Sequence, residues 1–206
     1  MTLSAPPVAD LDTGVCVVLV EPSAERTFVT TQGAERQITV QSLAASNPVP
    51  GDLVCVSGYS LVGRTRDPLV EWLDTLADGV VVVLDPGATF AGLAEPLRDR
   101  VLARTDVWTG NTDEAAALTG VRGMREAAEV VATLLAPDAV TIVRDGARGC
   151  AVRESGRTTH CPGHPQRPVD TNGAGDTHTG VLLAERATGA SWPEAAARAN
   201  TAGAIK

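Results

Sequence analysis

The chain has 206 residues, of which 44% are hydrophobic and 3% aromatic, and its formal net charge is −8. This length predicts one domain, and the composition predicts a core of Val, Leu and Ala, as in an α/β fold. The acidic charge argues against nucleic acid or an anionic membrane as a partner. The sequence has neither a basic n-region near Met1 nor an apolar run of membrane-spanning length, so we expect a cytoplasmic protein.

The N-terminal part of the chain predicts a disordered lead over residues 1–12, followed by a β-hairpin. Two apolar runs, 13–20 and 25–32, have strand composition, and the segment between them contains Pro22 and Ser23. We therefore place a pair of surface strands within residues 13–41. The remaining residues, 51–206, are predicted to form an α/β core.

Strand-like and helix-like segments alternate along this predicted core. A β-branched run such as residues 80–84 is typical of a strand that is covered on both faces. The four cysteines have no Cys-x-x-Cys spacing, and we expect buried, reduced thiols. The predicted strands cover 52–57, 80–84, 106–109, 139–144, 150–153 and 158–161, and the predicted helices include 67–77, 96–104, 125–135, 174–187 and 193–205.

Two residues follow the carboxyl ends of predicted strands, where open α/β sheets bind their ligands. Tyr59, the only tyrosine of the chain, comes after the strand at 52–57, and Asp85 ends the strand at 80–84. We predict that Tyr59 forms one wall of a substrate site. The alternative is that its ring packs beneath a loop.

Asn111 and Glu114 are three residues apart at the start of a predicted helix, so they share a face. Oxygen donors in this arrangement suit the hydrated shell of Mg²⁺. An Asn followed three residues later by an acid also closes a helix N-terminus, and the residues alone leave both interpretations open.

The segment at 145–149 predicts a tight turn between two strands. Gly146 and Gly149 permit positive φ angles and a close approach of a ligand to the backbone. Arg144, which precedes this turn, could contact a phosphate through its guanidinium. A plain hairpin turn explains the two glycines equally well.

The most informative segment is Asp-Thr-Asn-Gly-Ala-Gly-Asp at residues 170–176, which precedes a long helical run. Gly173, Ala174 and Gly175 leave backbone N–H groups uncovered at a helix N-terminus, where they can bind phosphate. Asp176 would repel phosphate, so we interpret it as a base that takes the proton from an attacking hydroxyl. The alternative is a glycine-rich helix cap with an acid that favours the helix dipole.

This motif resembles the signature of ribokinase-like carbohydrate kinases of the phosphofructokinase-B type. An Asn-x-x-Glu pair, a Gly-x-x-Gly turn and a small-residue helix at 199–204 also occur in the order found in that family. His178, Val181 and Arg144 depart from it, because the family usually has an aromatic, a small and a hydroxyl residue there. The resemblance implies a three-layer αβα fold with a small β lid and ATP-dependent phosphorylation of a sugar or nucleoside.

The resemblance also implies roles for particular residues. The hairpin within 13–41 would be the lid over the sugar, and the acceptor would lie beside Tyr59 and Asp176. Besides ATP and Mg²⁺, we predict a monovalent cation, K⁺, bound by Asp170 and Asn172. The nucleotide and its magnesium would be contacted by Asn111, Glu114, Arg144, Gly146, Gly149 and Asn200, with Gly173, Ala174 and Gly175 as the anion hole.

Two features set limits on this expectation. Family members begin with a strand that carries a substrate-binding Asp and a Gly-Gly loop, neither of which precedes Thr13, and they continue beyond the last helix. We therefore expect an incomplete fold, with a homodimer formed through the lid strands or an exposed sheet edge. The alternative function is a truncated or degenerate kinase that binds nucleotide or a partner without efficient turnover. No Gly-Lys-Ser/Thr or Gly-x-Gly-x-x-Gly motif supports a P-loop or dinucleotide site.

Overall fold

The computed structural model describes residues 7–21, 26–166 and 171–205. Within this part of the chain, six strands form the main sheet, in the spatial order in which they occur in the sequence. The first four are parallel to one another, and the last two are antiparallel. The strands are β3 (Leu53–Ser57), β4 (Val81–Asp85), β5 (Val107–Asn111), β6 (Val140–Arg144), β7 (Cys150–Glu154) and β8 (Arg157–Cys161), and they follow the separate hairpin strands β1 (Cys16–Val20) and β2 (Arg26–Thr30).

Helices cover both faces of the main sheet. Along β4, Val82 and Leu84 belong to one apolar cluster and Val83 to another, as the alternation of a strand requires. The first cluster includes residues of α2 to α5, and the second includes residues of α6 and α7. The helices are α1 (Val40–Ala44), α2 (Arg66–Leu73), α3 (Glu95–Ala103), α4 (Thr112–Thr119), α5 (Met124–Ala132), α6 (Ala174–Ala187) and α7 (Trp192–Ile205). The predicted αβα arrangement with a mostly parallel sheet is confirmed.

The packing of α7 depends on small side chains. Ala195, Ala196 and Ala199 are fully buried in the cluster that also contains Leu182 of α6. Because alanine projects little from a helix, the axis of α7 can lie close to the sheet and to α6. This packing holds α6, and with it the glycine-rich segment at its start, against the carboxyl ends of β4 and β6.

The hairpin β1–β2 differs from the body because its apolar side chains face solvent. Val17 pairs with Val29 and Val18 pairs with Phe28 in an antiparallel register. Val17, Val29 and Phe28 are each more than half exposed. A two-stranded ribbon of this kind has little stability by itself in water.

The predicted elements are present, with one clear error about the cysteines. Cys150 and Cys161 are buried, but Cys16 on the hairpin and Cys55 on the edge strand β3 are exposed. Their strands are apolar, but neighbouring elements leave those two positions open. All four of these described thiols are free.

The assignments at the chain ends stay predictions. Residues 7–12 contain neither helix nor strand, and the Asp12 carbonyl accepts a hydrogen bond from the Ala34 N–H at 2.8 Å. The predicted lead over residues 1–12 and the turn between β1 and β2 lie partly outside the described residues. None of the helices in the described ranges combines the length and hydropathy needed to cross a membrane.

Candidate functional site

The parallel strands end in a row of polar residues at the carboxyl edge of the sheet. Ser57 of β3 is paired with Asp85 of β4, and Asn111 of β5 is paired with Arg144 of β6. Because alternate residues of a strand share a face, these four side chains lie on the side of the sheet that α6 covers. The row places polar and charged groups beside the start of that helix.

The start of α6 has the geometry of an anion site. Gly173 is the N-terminal cap, with φ 76° and ψ 5°, a left-handed conformation that glycine adopts without strain. Ala174 and Gly175 begin the first turn, whose backbone N–H groups have no acceptors within the helix, although the Ala174 N–H donates to the Thr171 carbonyl at 3.2 Å. Asp176 is the third residue of the helix and is exposed. A carboxylate and a set of backbone donors thus face solvent at the same helix end.

Arg144 connects this helix to the sheet. Its side chain is 11% exposed. Nη1 donates to the Gly175 carbonyl at 2.9 Å, and Nη2 lies 3.5 Å from both carboxylate oxygens of Asp85. Nη2 is also 3.8 Å from Oε2 of Glu114. The guanidinium therefore lies between α6 and two acids, beneath the predicted anion hole.

Asn111 and Glu114 form a capping box at the start of α4. Oδ1 of Asn111 accepts a hydrogen bond from the Glu114 N–H, and the Asn111 N–H donates to Oε2 of Glu114, both at 2.8 Å. Burial raises the pKa of Glu114, while the Asn111 N–H and the Arg144 charge act in the opposite direction. The capping alternative is thus present in the structure, and the magnesium role stays a prediction.

Gly110 explains how this carboxylate comes so close to the strand. A Cβ atom at Gly110 would lie 2.9 Å from Oε2 of Glu114 and 2.4 Å from the Trp108 ring. Both distances are too short for a side chain. The absence of a side chain at this position lets Glu114 fold back over the end of β5.

The turn after β6 also needs its glycines. Gly146 and Gly149 have φ angles of 52° and 88°. A Cβ at Gly149 would lie 2.1 Å from the Cys161 carbonyl oxygen, so this residue packs against the segment after β8. Gly146 is exposed. Internal packing accounts for Gly149, and a nucleotide contact by either glycine stays a prediction.

Two other predicted residues lie in different surroundings. Tyr59 is 53% exposed, and its ring lies against Gly87, where a Cβ atom would be 2.8 Å from the ring. Asn200 is buried in α7, and its amide is hydrogen-bonded to His178, to Cys161 and to Pro162. These internal contacts occupy the Asn200 amide, and its predicted contact with adenine has no direct support.

The predicted K⁺ site lies only partly within the described residues. Asp170 lies outside the described residues, and Asn172 precedes the cap residue Gly173 in an exposed turn. Among the residues that the structure describes, no cluster of three His, Cys, Asp or Glu side chains could hold a metal ion. The oxygens of Asn111 and Glu114 are hard donors that fit Mg²⁺ held through water, which requires fewer direct protein ligands.

Sequence reasoning did not assign two residues that the structure brings into this site. Oγ1 of Thr179 donates to Oδ2 of Asp85 at 2.7 Å, and it also accepts a hydrogen bond from Arg144 at 3.3 Å. The position of Asp85 at a strand end was a usable signal. Nothing in the local sequence marks Thr179, because its role depends on how α6 lies over the sheet.

Comparisons with known proteins identify the family to which this fold and its glycine-rich helix start belong. The family profile described as pfkB family carbohydrate kinase matches residues 5–206. The chain belongs to this family. An uncharacterized sugar kinase of Escherichia coli, YegV, is 35% identical over 187 residues, which cover 88% of this chain. The chain spans 57% of that relative's length.

Solved structures confirm the ribokinase-like fold. Adenosine kinase from Sinorhizobium meliloti superimposes with a TM-score of 0.81 at 21% identity, covering 94% of this chain and 60% of that one. A double mutant of fructokinase from Vibrio cholerae, solved with fructose, ADP and a potassium ion, has a TM-score of 0.75 at 22% identity. It covers 92% of this chain and 66% of its own. These two proteins act on different acceptors, so the likeness shows the fold and leaves the acceptor open.

Proposed function

We propose that this chain carries the nucleotide-binding and catalytic part of a kinase that transfers phosphate from ATP to a hydroxyl of a sugar or nucleoside. One observation carries the proposal. Asp176 lies in the exposed first turn of α6, immediately after the backbone N–H groups of Gly173, Ala174 and Gly175. A base and an anion hole are thus adjacent in a protein of the pfkB family.

In this proposal the two groups have separate tasks. The Asp176 carboxylate accepts the proton of the acceptor hydroxyl, which makes the oxygen a better nucleophile. The backbone N–H groups from Gly173 to Gly175 donate to the oxygens of the transferring phosphoryl group. Tyr59, which is exposed beyond the end of β3, is the proposed wall of the acceptor site.

ATP, Mg²⁺ and K⁺ are the proposed cofactors. When bound, the divalent ion neutralises part of the phosphate charge. Glu114 and Asn111 would hold it through water, while Asp170 and Asn172 would hold the monovalent ion. The potassium ion in the fructokinase structure supports the second assignment, and the oxygen donors of the α4 cap support the first.

Nucleotide binding without efficient turnover is the second candidate function. It is favoured by the exposure of Tyr59, which is 53% and leaves the proposed wall of the acceptor site open to solvent. Holding the acceptor in line can contribute about 7–11 kcal/mol to catalysis, so a correctly placed base beside a poorly held acceptor would be slow. The two candidates share the nucleotide site and differ only in transfer.

The test compares wild type with Asp176→Asn and with Asp99→Asn, an exposed acid on α3. Calorimetry measures Mg·ATP binding, and a panel of sugars and nucleosides measures transfer. We expect Asp176→Asn to lower transfer by about 10²- to 10⁴-fold with little change in ATP affinity. Binding without transfer in the wild type would favour the second candidate, and no binding at all would reject both.

We also propose a homodimer in which the β1–β2 hairpins of two copies pack together, or in which the β3 edges meet. The exposed Val17, Leu19, Phe28 and Val29 side chains support the hairpin contact, because water is a poor environment for such a cluster. Sedimentation at increasing concentration should give a dimer for the wild type. A Val17→Thr/Val29→Thr variant should be a monomer, and unchanged association would direct attention to β3.

A further inference from the structure

Arg144 is unusual among the arginines that the structure describes, because its guanidinium is buried at the centre of the candidate site. The residue is 9% exposed, and it ends the parallel strand β6. Its Nε–H has no hydrogen-bond partner within the described residues. A buried cation with an unsatisfied donor is unfavourable, and it requires a compensating arrangement around it.

The two terminal nitrogens of Arg144 face different elements. Nη1 donates to the Gly175 carbonyl at 2.9 Å and to Oγ1 of Thr179 at 3.3 Å, and both residues belong to α6. Nη2 faces the sheet, where it lies 3.5 Å from the Asp85 carboxylate and 3.4 Å from the Thr109 carbonyl. One planar group therefore joins the first turns of α6 to two strand ends.

Asp85 closes this set of contacts. Its Oδ2 accepts a hydrogen bond from Thr179 at 2.7 Å, while the same carboxylate faces Arg144. The guanidinium, the hydroxyl and the carboxylate form a triangle that spans α6 and β4. Each corner restricts the other two, so the orientation of the helix start is fixed at more than one point.

The electrostatic free energy of this triangle favours a role in orienting α6 over a role in stabilising the fold. A cation at a helix N-terminus is opposed by the helix dipole. Buried ion pairs can often be replaced by apolar side chains without loss of stability, because desolvation offsets the attraction between the charges. The hydrogen bonds of the triangle do, however, fix the orientation of α6 on the sheet, because they depend on angle, whereas apolar contacts do not.

We propose that Arg144 is a positioning residue that holds the first turn of α6, and with it Asp176, in the orientation that the transfer reaction needs. This inference rests on the proposed kinase function. Arg144 acts through the Gly175 carbonyl, which belongs to the residue immediately before Asp176. Asp85 and Thr179 contact the Arg144 guanidinium and hold it in place, so that a positive charge is fixed inside this part of the site.

The activity test uses Arg144→Met, which keeps an unbranched, flexible side chain and removes the charged guanidinium. A displacement of about 1 Å can lower a rate by roughly 10²-fold, so we expect kcat to fall by that amount while KM for ATP stays within about threefold. Arg144→Lys should not restore kcat, because a single ammonium cannot replace the two-sided fork of a guanidinium.

The matched control is Arg104→Met. Arg104 has a similar set of contacts, with Nη1 3.2 Å from Oδ2 of Asp106 and Nη2 3.4 Å from the Val80 carbonyl. It lies at the opposite end of the sheet, where the strands begin. Loss of this pair should leave kcat and KM unchanged.

A second pair of variants keeps the inference testable if Arg144→Met does not fold. Thr179→Val removes the hydroxyl of the triangle with little change of shape, and Thr105→Val removes a comparable buried hydroxyl that donates to the Val101 carbonyl at 2.8 Å. We expect about a tenfold fall in kcat for the first variant and no change for the second.

Amide hydrogen exchange tests the same inference without any activity. Exchange of the peptide covering residues 174–182 should be about tenfold faster in Arg144→Met or Thr179→Val than in the wild type, because the first turns of α6 open more often. Arg104→Met and Thr105→Val should leave this peptide unchanged. Wild type that neither binds ATP nor transfers phosphate would reject the proposed function, and exchange would still decide the role of Arg144. If the peptide exchanges at the same rate in the wild type and in all four variants, the positioning role of Arg144 is rejected.

Discussion

His178 on α6 donates a hydrogen bond from Nε2 to Oδ1 of Asn200 on α7, at 3.1 Å. The Asn200 amide nitrogen donates in turn to the carbonyls of Cys161 and Pro162, at 3.0 and 3.1 Å. This chain of contacts fixes the proton of the neutral ring on Nε2. Nδ1 is buried and has no partner in the described part of the chain. Protonation of His178 would therefore place an unpaired charge between two helices.

Stability should fall in acid because of this histidine. Burial, followed by the Arg144 charge, lowers the pKa of His178 from 6.5 to about 4. The unfolded state thus binds a proton more readily than the folded state. The stability that neutral His178 contributes is therefore lost as the pH falls from about 6.5 towards 4. The loss should reach about 3 kcal/mol at pH 4. Urea unfolding of the wild type and of His178→Gln should show a flatter pH dependence for the variant.

The control for this measurement is His160→Gln, at an exposed position of β8. It should leave the pH dependence as it is in the wild type. If His178→Gln has the same slope as this control, the histidine does not titrate with the depressed pKa.

Glu114→Gln should separate the cap from the metal role. Glutamine keeps an acceptor for the Asn111 N–H, so the free energy of unfolding should change by less than about 1 kcal/mol. The Mg²⁺ concentration for half-maximal ATP binding should rise roughly tenfold, equivalent to about 1.4 kcal/mol. Glu95→Gln, in the first turn of α3, serves as the control. An unchanged Mg²⁺ titration would leave Glu114 with its capping role alone.

Gly175→Val should abolish nucleotide binding. A Cβ at this position lies 3.2 Å from Nη1 of Arg144, and a branched side chain would cover the N–H groups of the helix start. We also expect a loss of about 1–3 kcal/mol in stability from overpacking. The matched variant is Gly180→Val in the same helix, where a Cβ meets no described atom within 4 Å. Calorimetry with ATP that gives equal affinities for both variants would place the phosphates elsewhere.

The thiol of Cys55 can report on the charge of the site. Although Cys55 lies exposed on the edge strand, neighbouring atoms remove part of the hydration of its thiol, and this loss, followed by the charges of Asp85 and Asp176, raises the pKa of Cys55 to about 11. Asp176→Asn removes one of these charges, so alkylation by iodoacetamide at neutral pH should become about two- to fivefold faster. Asp52→Asn, just before the same strand, is the control. Equal rates in the two variants would show that Asp176 does not face the end of β3.

Much of the fold was predictable from local sequence, because the Val-rich strands and the alanine-rich helices have clear patterns. The predicted helix at 174–187 has the bounds of α6 (Ala174–Ala187). The contacts of the site were less accessible. Thr179 and Asp85 are hydrogen-bonded although they are 94 residues apart in the chain. No local pattern indicates such a contact, since it depends on the final docking of a helix on the sheet.

The exposure of two cysteines was unpredictable for a related reason. Apolar neighbours suggested burial for Cys16 and Cys55, but burial requires another element to cover the strand. Coverage is a property of the tertiary structure. The Asn-x-x-Glu pattern shows the opposite case, because its capping geometry follows directly from the spacing of Asn111 and Glu114.

The alignment of Ser57, Asp85, Asn111 and Arg144 has a consequence for protein engineering. Strand register holds this row in place, and the loops that follow the strands do not. Loop insertions are thermodynamically inexpensive, whereas a one-residue deletion within a strand turns every later side chain to the opposite face. The segment between β4 and α3 can therefore be lengthened or exchanged, provided that each of the four strands keeps its residue count, whereas β5 leads directly into α4 and has no such loop.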